Sequence, residues 1–278
     1  MPQQSYRLTF KVSEENSELL STMLFDAGCT GIEDKTATER FAYFEEKNLD
    51  TGLTILSAHD ITPHIEKIEE RDWDAEWRKN MKPIKISDRF TVTPTWLADT
   101  VAEADRIIMD PKMTFGSGHH ETTRLCAQFI EKFSKGVQTM LDAGTGTAIL
   151  AIAAEKLGIG KIVAFDNDPE TRENTVENLA LNNCKRIDYF TGTLDTISGS
   201  SKFDLISANI ISSVLYELMP LFKNTLNPGG KVIFSGILVH EQDEFRKRLT
   251  ANGFALVEEQ TDKEWYACVA QISSALTI

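Results

Sequence analysis

The sequence lacks the features that mark several common classes of protein. No apolar run reaches the length of a membrane-spanning helix, and the N-terminus lacks the charged start and apolar block of a signal peptide. The five histidines form no metal cluster, and the four cysteines, Cys29, Cys126, Cys184 and Cys268, have no metal-ligand spacing. We therefore expect no membrane association, no metal site, and buried thiols in a reducing cytoplasm.

The chain also has little positive charge. Its net charge is −13, which argues against a groove that follows nucleic-acid phosphates. Residues 1–60 contain five Lys and Arg against eleven Asp and Glu, a net charge of −6. This segment therefore holds nearly half of the excess charge, and we expect it to dock a basic protein partner rather than a nucleic acid.

A hydrophobic content of 41% is enough for a packed core, and the pattern predicts three regions. Residues 1–58 are expected to form a small α+β, ferredoxin-like domain, with strands near 6–12, 30–34, 40–44 and 54–57 and a helix over 14–27. A linker helix is predicted over 59–82, since Ile61, Ile65 and Ile68 share one helical face and lead to Trp73 and Trp77. Residues 83–278 form the larger domain.

In that larger domain, strand and helix patterns alternate. Strands are predicted near 139–143, 161–166, 187–191, 203–208 and 231–236, and helices near 121–133, 148–157, 170–182, 211–225 and 241–251. Two last strands, 254–259 and 264–270, follow each other without room for a helix. The fold class is thus α/β, a seven-stranded Rossmann-like sheet closed by an antiparallel hairpin, which is typical of class I methyltransferases.

The strongest chemical signal is the glycine turn after the first strand of this alternation. Gly144 and Gly146 let a ligand approach the backbone closely, and Asp166 ends the next strand, where it can accept hydrogen bonds from a ribose. Ile149 occupies the position of the third glycine of a dinucleotide fingerprint. Asp142 would repel a pyrophosphate and attract a cationic amino-acid end. The pattern therefore favours S-adenosylmethionine as cofactor over a dinucleotide.

A second glycine-rich segment precedes the first helix of the larger domain. Phe115, Gly116 and Gly118 lie in a loop that we expect to cover the methionine end of the cofactor, with the two glycines as hinges. Thr122 and Thr123 follow at the helix start. They are expected either to contribute to this loop or to cap the helix.

Asn209 ends the fourth predicted strand, where the methyl group would be transferred. Its amide oxygen can accept a hydrogen bond from an amine nucleophile and orient it, or the residue can cap the next helix. No proline pair follows Asn209, which distinguishes the site from enzymes that methylate adenine or glutamine.

Taken together, these motifs resemble the ribosomal protein L11 methyltransferase (PrmA) family over nearly the whole chain. The matching segments are 115–123, 142–154, 166–169, 208–210 and 235–238, with Trp73, Trp77 and Trp265. The resemblance implies a substrate-recognition domain, a linker and a methyltransferase domain that methylates lysine side chains and the N-terminal amine of ribosomal protein L11. It makes Asn209 the expected catalytic residue, and the expected cofactor-binding residues are Phe115, Gly116, Thr122, Asp142, Gly144, Gly146, Asp166 and Asn209.

The chain departs from the family pattern around the cofactor. Thr145 replaces a cysteine, Ala148 a glycine, Glu121 a proline and His119 a threonine. Two other functions fit the same cofactor motif, namely a methyltransferase of another protein or a small molecule, and a non-catalytic assembly factor that binds S-adenosylmethionine. Deletion of residues 1–58 should leave a small-molecule methyltransferase active and inactivate a protein methyltransferase. An assembly factor should bind the cofactor without turnover on any substrate.

Overall fold

The computed structural model describes residues 5–36, 38–68, 81–109, 120–197, 199 and 201–273. The side chains of residues 14–16 and 18 are also outside this description. The predictions for Phe115, Gly116, Gly118, Trp73 and Trp77 lie outside the described residues. The chain divides into two compact units, one within residues 1–81 and the other within residues 82–278.

The first unit is a four-stranded antiparallel sheet with two helices. Strand order is β2-β3-β1-β4, and the chain runs β1 α1 β2 β3 α2 β4, which confirms the predicted ferredoxin-like fold. The elements are β1 (Ser5–Lys11), α1 (Glu14–Asp26), β2 (Cys29–Asp34), β3 (Glu39–Glu45), α2 (Glu46–Ala58) and β4 (His64–Ile68). Leu8, Leu24, Phe44 and Leu56 are fully buried between the sheet and the helices.

Two predictions fail in this unit. Residues 54–57 belong to α2 and not to a strand, because Leu49, Leu53 and Leu56 recur at helical spacing and pack on the core. Residues 64–68 form β4, which pairs antiparallel with β1, and not a linker helix. The linker prediction for 59–82 is therefore wrong over these five residues, which belong to the sheet of the first unit.

The second unit contains a seven-stranded sheet and a separate three-stranded sheet. The order of the large sheet is β10-β9-β8-β11-β12-β14-β13, with β8 to β12 parallel and β14 antiparallel to both neighbours. Its strands are β8 (Thr139–Ala143), β9 (Lys161–Asp166), β10 (Ile187–Thr191), β11 (Phe203–Asn209), β12 (Leu226–Leu238), β13 (Phe254–Asp262) and β14 (Trp265–Ile272). This confirms the predicted Rossmann-like sheet and its terminal hairpin.

Helices cover the large sheet on both faces. They are α3 (Glu121–Phe133), α4 (Ile149–Lys156), α5 (Thr171–Leu181), α6 (Ser212–Thr225) and α7 (Gln242–Ala251). The small sheet consists of β5 (Ile84–Lys85), β6 (Thr91–Thr93) and β7 (Arg106–Ile108). No helix within the described ranges is long and apolar enough to cross a bilayer.

The core explains why the strand patterns are almost continuously apolar. On β8, Met140 packs in the layer formed with α3 and α4, while Leu141 packs in the layer formed with α6 and α7. Strands buried on both faces need apolar side chains at successive positions. The chain order reverses between β8 and β11, and ligands of such sheets bind at this reversal, beyond the carboxyl ends of the strands.

Candidate active site

A cavity of about 670 Å³ opens at that point of the sheet. It is lined by the turn after β8, the end of β9, the start of α5, the end of β11 and the first turns of α6. Gly144, Gly146, Asp166 and Asn209, four of the predicted site residues, meet on its wall. The volume falls within the range of small-molecule pockets.

The glycine turn that follows β8 adopts a left-handed backbone. The φ angles are +67° at Gly144, +53° at Gly146 and +64° at Ala148. Ala148 lies one residue before α4 and is not part of the helix, so the high helix propensity of alanine does not stabilise α4 at this position. A non-glycine residue in this conformation costs about 1–2 kcal/mol, and burial of its methyl group offsets part of that cost.

Asp166 at the end of β9 holds this turn in place. One carboxylate oxygen accepts a hydrogen bond from the Gly146 amide at 2.8 Å, and the other accepts one from the Asp168 amide at 3.0 Å. Each carboxylate oxygen has a second lone pair. Asp166 can therefore orient itself through the backbone and still accept the two hydroxyls of a ribose.

Asp142 lies beneath the turn and is only 1% exposed. It is not among the described residues that line the cavity. The Thr145 hydroxyl donates to its Oδ2 at 2.6 Å. Burial raises the pKa of Asp142 to about 6, against the lowering effect of the hydrogen bond from Thr145. A direct contact with the cofactor's cationic end remains a prediction.

Asn209 faces the cavity from the end of β11. It does not cap α6, because Ile211 is the N-cap residue and forms no side-chain cap. The next residue, Ile210, donates its amide to the Ser235 carbonyl at 3.1 Å. A Cβ at Gly236 would lie only 2.4 Å from the Ile210 carbonyl oxygen, so glycine is required for this close approach.

The helix start after the second glycine-rich segment differs from the capping prediction. His120 is the N-cap residue of α3, and its Nδ1 accepts from the Thr122 amide. Neither Thr122 nor Thr123 is the cap. Thr122 is buried, its hydroxyl lies 2.7 Å from His120 Nδ1, and it is not among the described cavity residues. Its contact with the cofactor remains a prediction.

Sequence reasoning missed several residues of the site. Asn174 and Thr171 of α5 line the cavity, and Thr175 and Asn178 lie directly behind it. Their only sequence signal is a row of polar residues at helical spacing, which normally marks a solvent-exposed face. An apolar wall was also missed, formed by Leu194, Ile210, Ile211, Val214 and Leu218.

The lining suits a cationic nucleotide cofactor. Asp166, Asp168, Glu170 and Glu217 are on the wall, and the described lining contains no Lys, Arg or His. A pyrophosphate would be repelled here, whereas a sulfonium and an ammonium group would be attracted. The apolar residues can cover an adenine ring, and Asp166 is placed for its ribose.

A Rossmann-like sheet with this glycine turn, an acid at the end of the neighbouring strand and an antiparallel terminal hairpin defines a class I methyltransferase that uses S-adenosylmethionine. Residues 33–273 match the family described as ribosomal protein L11 methyltransferase (PrmA). The chain belongs to that family.

Individual relatives agree with this assignment. A ribosomal protein L11 methyltransferase of Clostridium perfringens is 36% identical over 84% of this chain and 72% of its own length. The protein of the same name from Desulforamulus reducens is 36% identical over 83% of this chain and 79% of its own length. A crystal structure of ribosomal protein L11 methylase from Lactobacillus delbrueckii subsp. bulgaricus has 33% identity and a TM-score of 0.65, covering 69% of this chain and 100% of that one.

Proposed function

We propose that this protein transfers methyl groups from S-adenosylmethionine to amines of ribosomal protein L11, at lysine side chains and at the N-terminal amine. The observation that carries the proposal is the placement of Asp166 and Asn209 on one cavity whose described lining is acidic and apolar. Family membership and the names of the relatives support the choice of ribosomal protein. We further propose that the reaction takes place in the cytoplasm, where ribosomal proteins are made.

Asp166 and Asn209 have separate tasks in this proposal. The bound cofactor supplies an electrophilic methyl group for in-line displacement, so the protein chiefly has to align the reactants. Asp166 holds the ribose and so fixes the position of the nucleotide. The Asn209 amide oxygen accepts a hydrogen bond from the substrate amine, which directs the nitrogen lone pair towards the methyl carbon.

The cavity also has to take up a charged amine and release its proton. The acidic lining draws the ammonium group inward, and Ile211, Val214 and Leu218 then reduce its hydration. A free lysine has a pKa of about 10.4, and desolvation lowers that value. The proton leaves through water at the open side of the cavity, and the neutral amine remains beside Asn209.

Intact-mass analysis tests the proposed substrate. Unmethylated ribosomal protein L11 is incubated with the full chain and S-adenosylmethionine, and the expected result is a series of steps of one methyl mass. An Asp166→Ala variant at the same concentration is the control and should give a smaller gain, because it binds the cofactor more weakly. No mass gain by the wild type, with cofactor binding still seen by calorimetry, would exclude this protein substrate and leave the cofactor site intact.

We propose that the first unit docks the substrate, because residues 1–60 carry a net charge of −6 and can attract a basic protein. A truncation after residue 58 would leave β4 without its partner β1, so the cut belongs after residue 68. A chain beginning at Lys82 should bind cofactor but methylate ribosomal protein L11 poorly. Unchanged methylation by that chain would contradict the docking role.

A further inference from the structure

Helix α5 carries a buried polar face directed at the glycine turn. Thr175 and Asn178 are fully buried, and Asn174 is 5% exposed. The Thr175 hydroxyl lies 2.6 Å from the Gly146 carbonyl oxygen and 2.9 Å from the Thr171 carbonyl oxygen. Fully buried polar side chains are uncommon on a helix that packs against a sheet. The groups to which these side chains form hydrogen bonds therefore indicate their role.

Asn178 continues the same contact one residue further along the turn. Its Nδ2 donates to the Thr147 carbonyl at 3.1 Å and to Asn174 Oδ1 at 3.2 Å. These two acceptors fix the orientation of the amide. Its Oδ1 is buried and has no hydrogen-bond partner among the described residues. An unpaired buried acceptor is destabilising, so stability alone does not account for an asparagine here.

At the far end of the helix, Asn182 attaches α5 to the small sheet. Its Oδ1 accepts from the Ile108 amide at 2.9 Å, and its Nδ2 donates to the Ile108 carbonyl at 2.6 Å. The residue thus pairs with both backbone groups of Ile108, at the end of β7. Helix α5 is thereby held at one end by β7 and in its middle by the glycine turn.

We propose that Thr175 and Asn178 are positioning residues that set the glycine turn for nucleotide binding, with Asn182 anchoring their helix to β7. The turn is left-handed at three positions and lies between β8 and α4. The Thr145 carbonyl accepts from the Ala148 amide within the turn, whereas the carbonyls of Gly146 and Thr147 accept from side chains of α5. Thr175 and Asn178 bind the carbonyls of Gly146 and Thr147, while Asp166 binds the Gly146 amide. This inference rests on the proposed function only in taking the cavity as the cofactor site.

Two substitutions at one position separate hydrogen bonding from packing. Thr175→Val keeps the side-chain shape and loses the hydroxyl, whereas Thr175→Ser keeps the hydroxyl and loses a buried methyl group. With S-adenosylhomocysteine as the probe in calorimetry, Thr175→Val should bind about tenfold more weakly, equivalent to about 1.4 kcal/mol, and Thr175→Ser should bind like the wild type. The melting temperatures of the ligand-free variants, measured in parallel, should not follow this order.

Amide hydrogen exchange of a peptide spanning residues 144–149 gives a readout that needs no ligand. Exchange should be faster in Thr175→Val and unchanged in Thr175→Ser. Weak probe binding by the wild type would count against the proposed cofactor site, while the exchange result would still decide whether Thr175 positions the turn. Wild-type affinity and exchange in Thr175→Val, or losses that simply follow melting temperature, would overturn the positioning role.

The distal anchor has a matched control on another helix. Asn182 and Asn252 are the C-cap residues of α5 and α7, and each donates from Nδ2 to the carbonyl four residues earlier at 2.9 Å. Only Asn182 also pairs with Ile108. Asn182→Ala should weaken probe binding severalfold, whereas Asn252→Ala should not. Equal probe affinities for the two variants would show that the hydrogen bonds between Asn182 and Ile108 do not help to position the glycine turn.

Discussion

The two walls of the cavity are built in different ways. The glycine-turn wall consists of residues 144–147 with Asp166, and buried side chains of α5 and β9 hold its backbone through hydrogen bonds. The Asn209 wall consists of residues 209 and 210, held by strand pairing and by close contact with Gly236. The glycine-turn wall therefore has a fixed backbone for binding the cofactor. In the Asn209 wall, the side-chain amide of Asn209 does not cap a helix, so it can bind a substrate.

The largest effect is expected where the Asn209 wall depends on close approach. Gly236 has a φ of +84°, and an added Cβ would lie 2.4 Å from the Ile210 carbonyl oxygen and 2.7 Å from its carbonyl carbon. Gly236→Ala therefore adds steric overlap to the cost of a left-handed backbone. We expect the free energy of unfolding, measured in urea, to fall by about 3 kcal/mol or more.

Gly229 supplies the matched control in the same strand. Its φ is +78°, but nothing lies within 4 Å of an added Cβ. Gly229→Ala should therefore cost only about 1–2 kcal/mol, the price of the backbone conformation alone. Equal losses in the two variants would show that the contact between Gly236 and Ile210 contributes nothing to the Asn209 wall.

The contrast between the walls also shows what sequence can and cannot predict. The bounds of β8, β9, β10 and α3 were predicted correctly, because buried strands and amphipathic helices leave local patterns. The predictions for 54–57 and 64–68 failed because packing of α2 and pairing of β4 with β1 override short local patterns.

The same reasoning applies to the site. Gly144, Gly146 and Asp166 stand in a local motif, so the sequence predicts that they meet. Thr175 and Asn178 approach the turn from a helix about thirty residues further along the chain, and their bonds are long-range. Polar residues on a helix normally indicate solvent. Only the packing of α5 against the turn reveals that these residues face inward.

Separate substitutions on the two walls should have separable effects. Asp166→Ala removes the acceptor of the Gly146 amide and of the ribose, so the dissociation constant for S-adenosylhomocysteine should rise about 10- to 100-fold. Asn209→Ala should keep that constant within about threefold, while single-turnover methylation slows about a hundredfold because the amine loses its orientation. Full turnover by Asn209→Ala would contradict the amine-orienting role, and equal cofactor loss in both variants would remove the distinction between the walls.

The smallest expected effect concerns the charge beneath the glycine-turn wall. Burial raises the pKa of Asp142 to about 6, above its ordinary value of 3.8, so the folded protein binds this proton more tightly than the unfolded chain. Asp142 therefore destabilises the fold increasingly as pH rises from about 4 to 6, and fully above that. Asp142→Asn does not titrate, and its Oδ1 can still accept from Thr145. Relative to the wild type, its unfolding free energy should rise by about 1–2 kcal/mol between pH 5 and pH 8.

Asp204 provides the control of opposite sign. Burial tends to raise its pKa, but hydrogen bonds from Asn227 and from the amides of Gln138 and Thr139 outweigh that effect and lower it. Its stabilising contribution is present above its unfolded pKa and is lost as pH falls below that value. Asp204→Asn should thus be less stable than the wild type by nearly the same amount at pH 5 and pH 8. If the difference in unfolding free energy between Asp142→Asn and the wild type were also the same at pH 5 and pH 8, burial would not destabilise the charged form of Asp142. The charge of Asp142 would then have no effect on the stability of the glycine-turn wall.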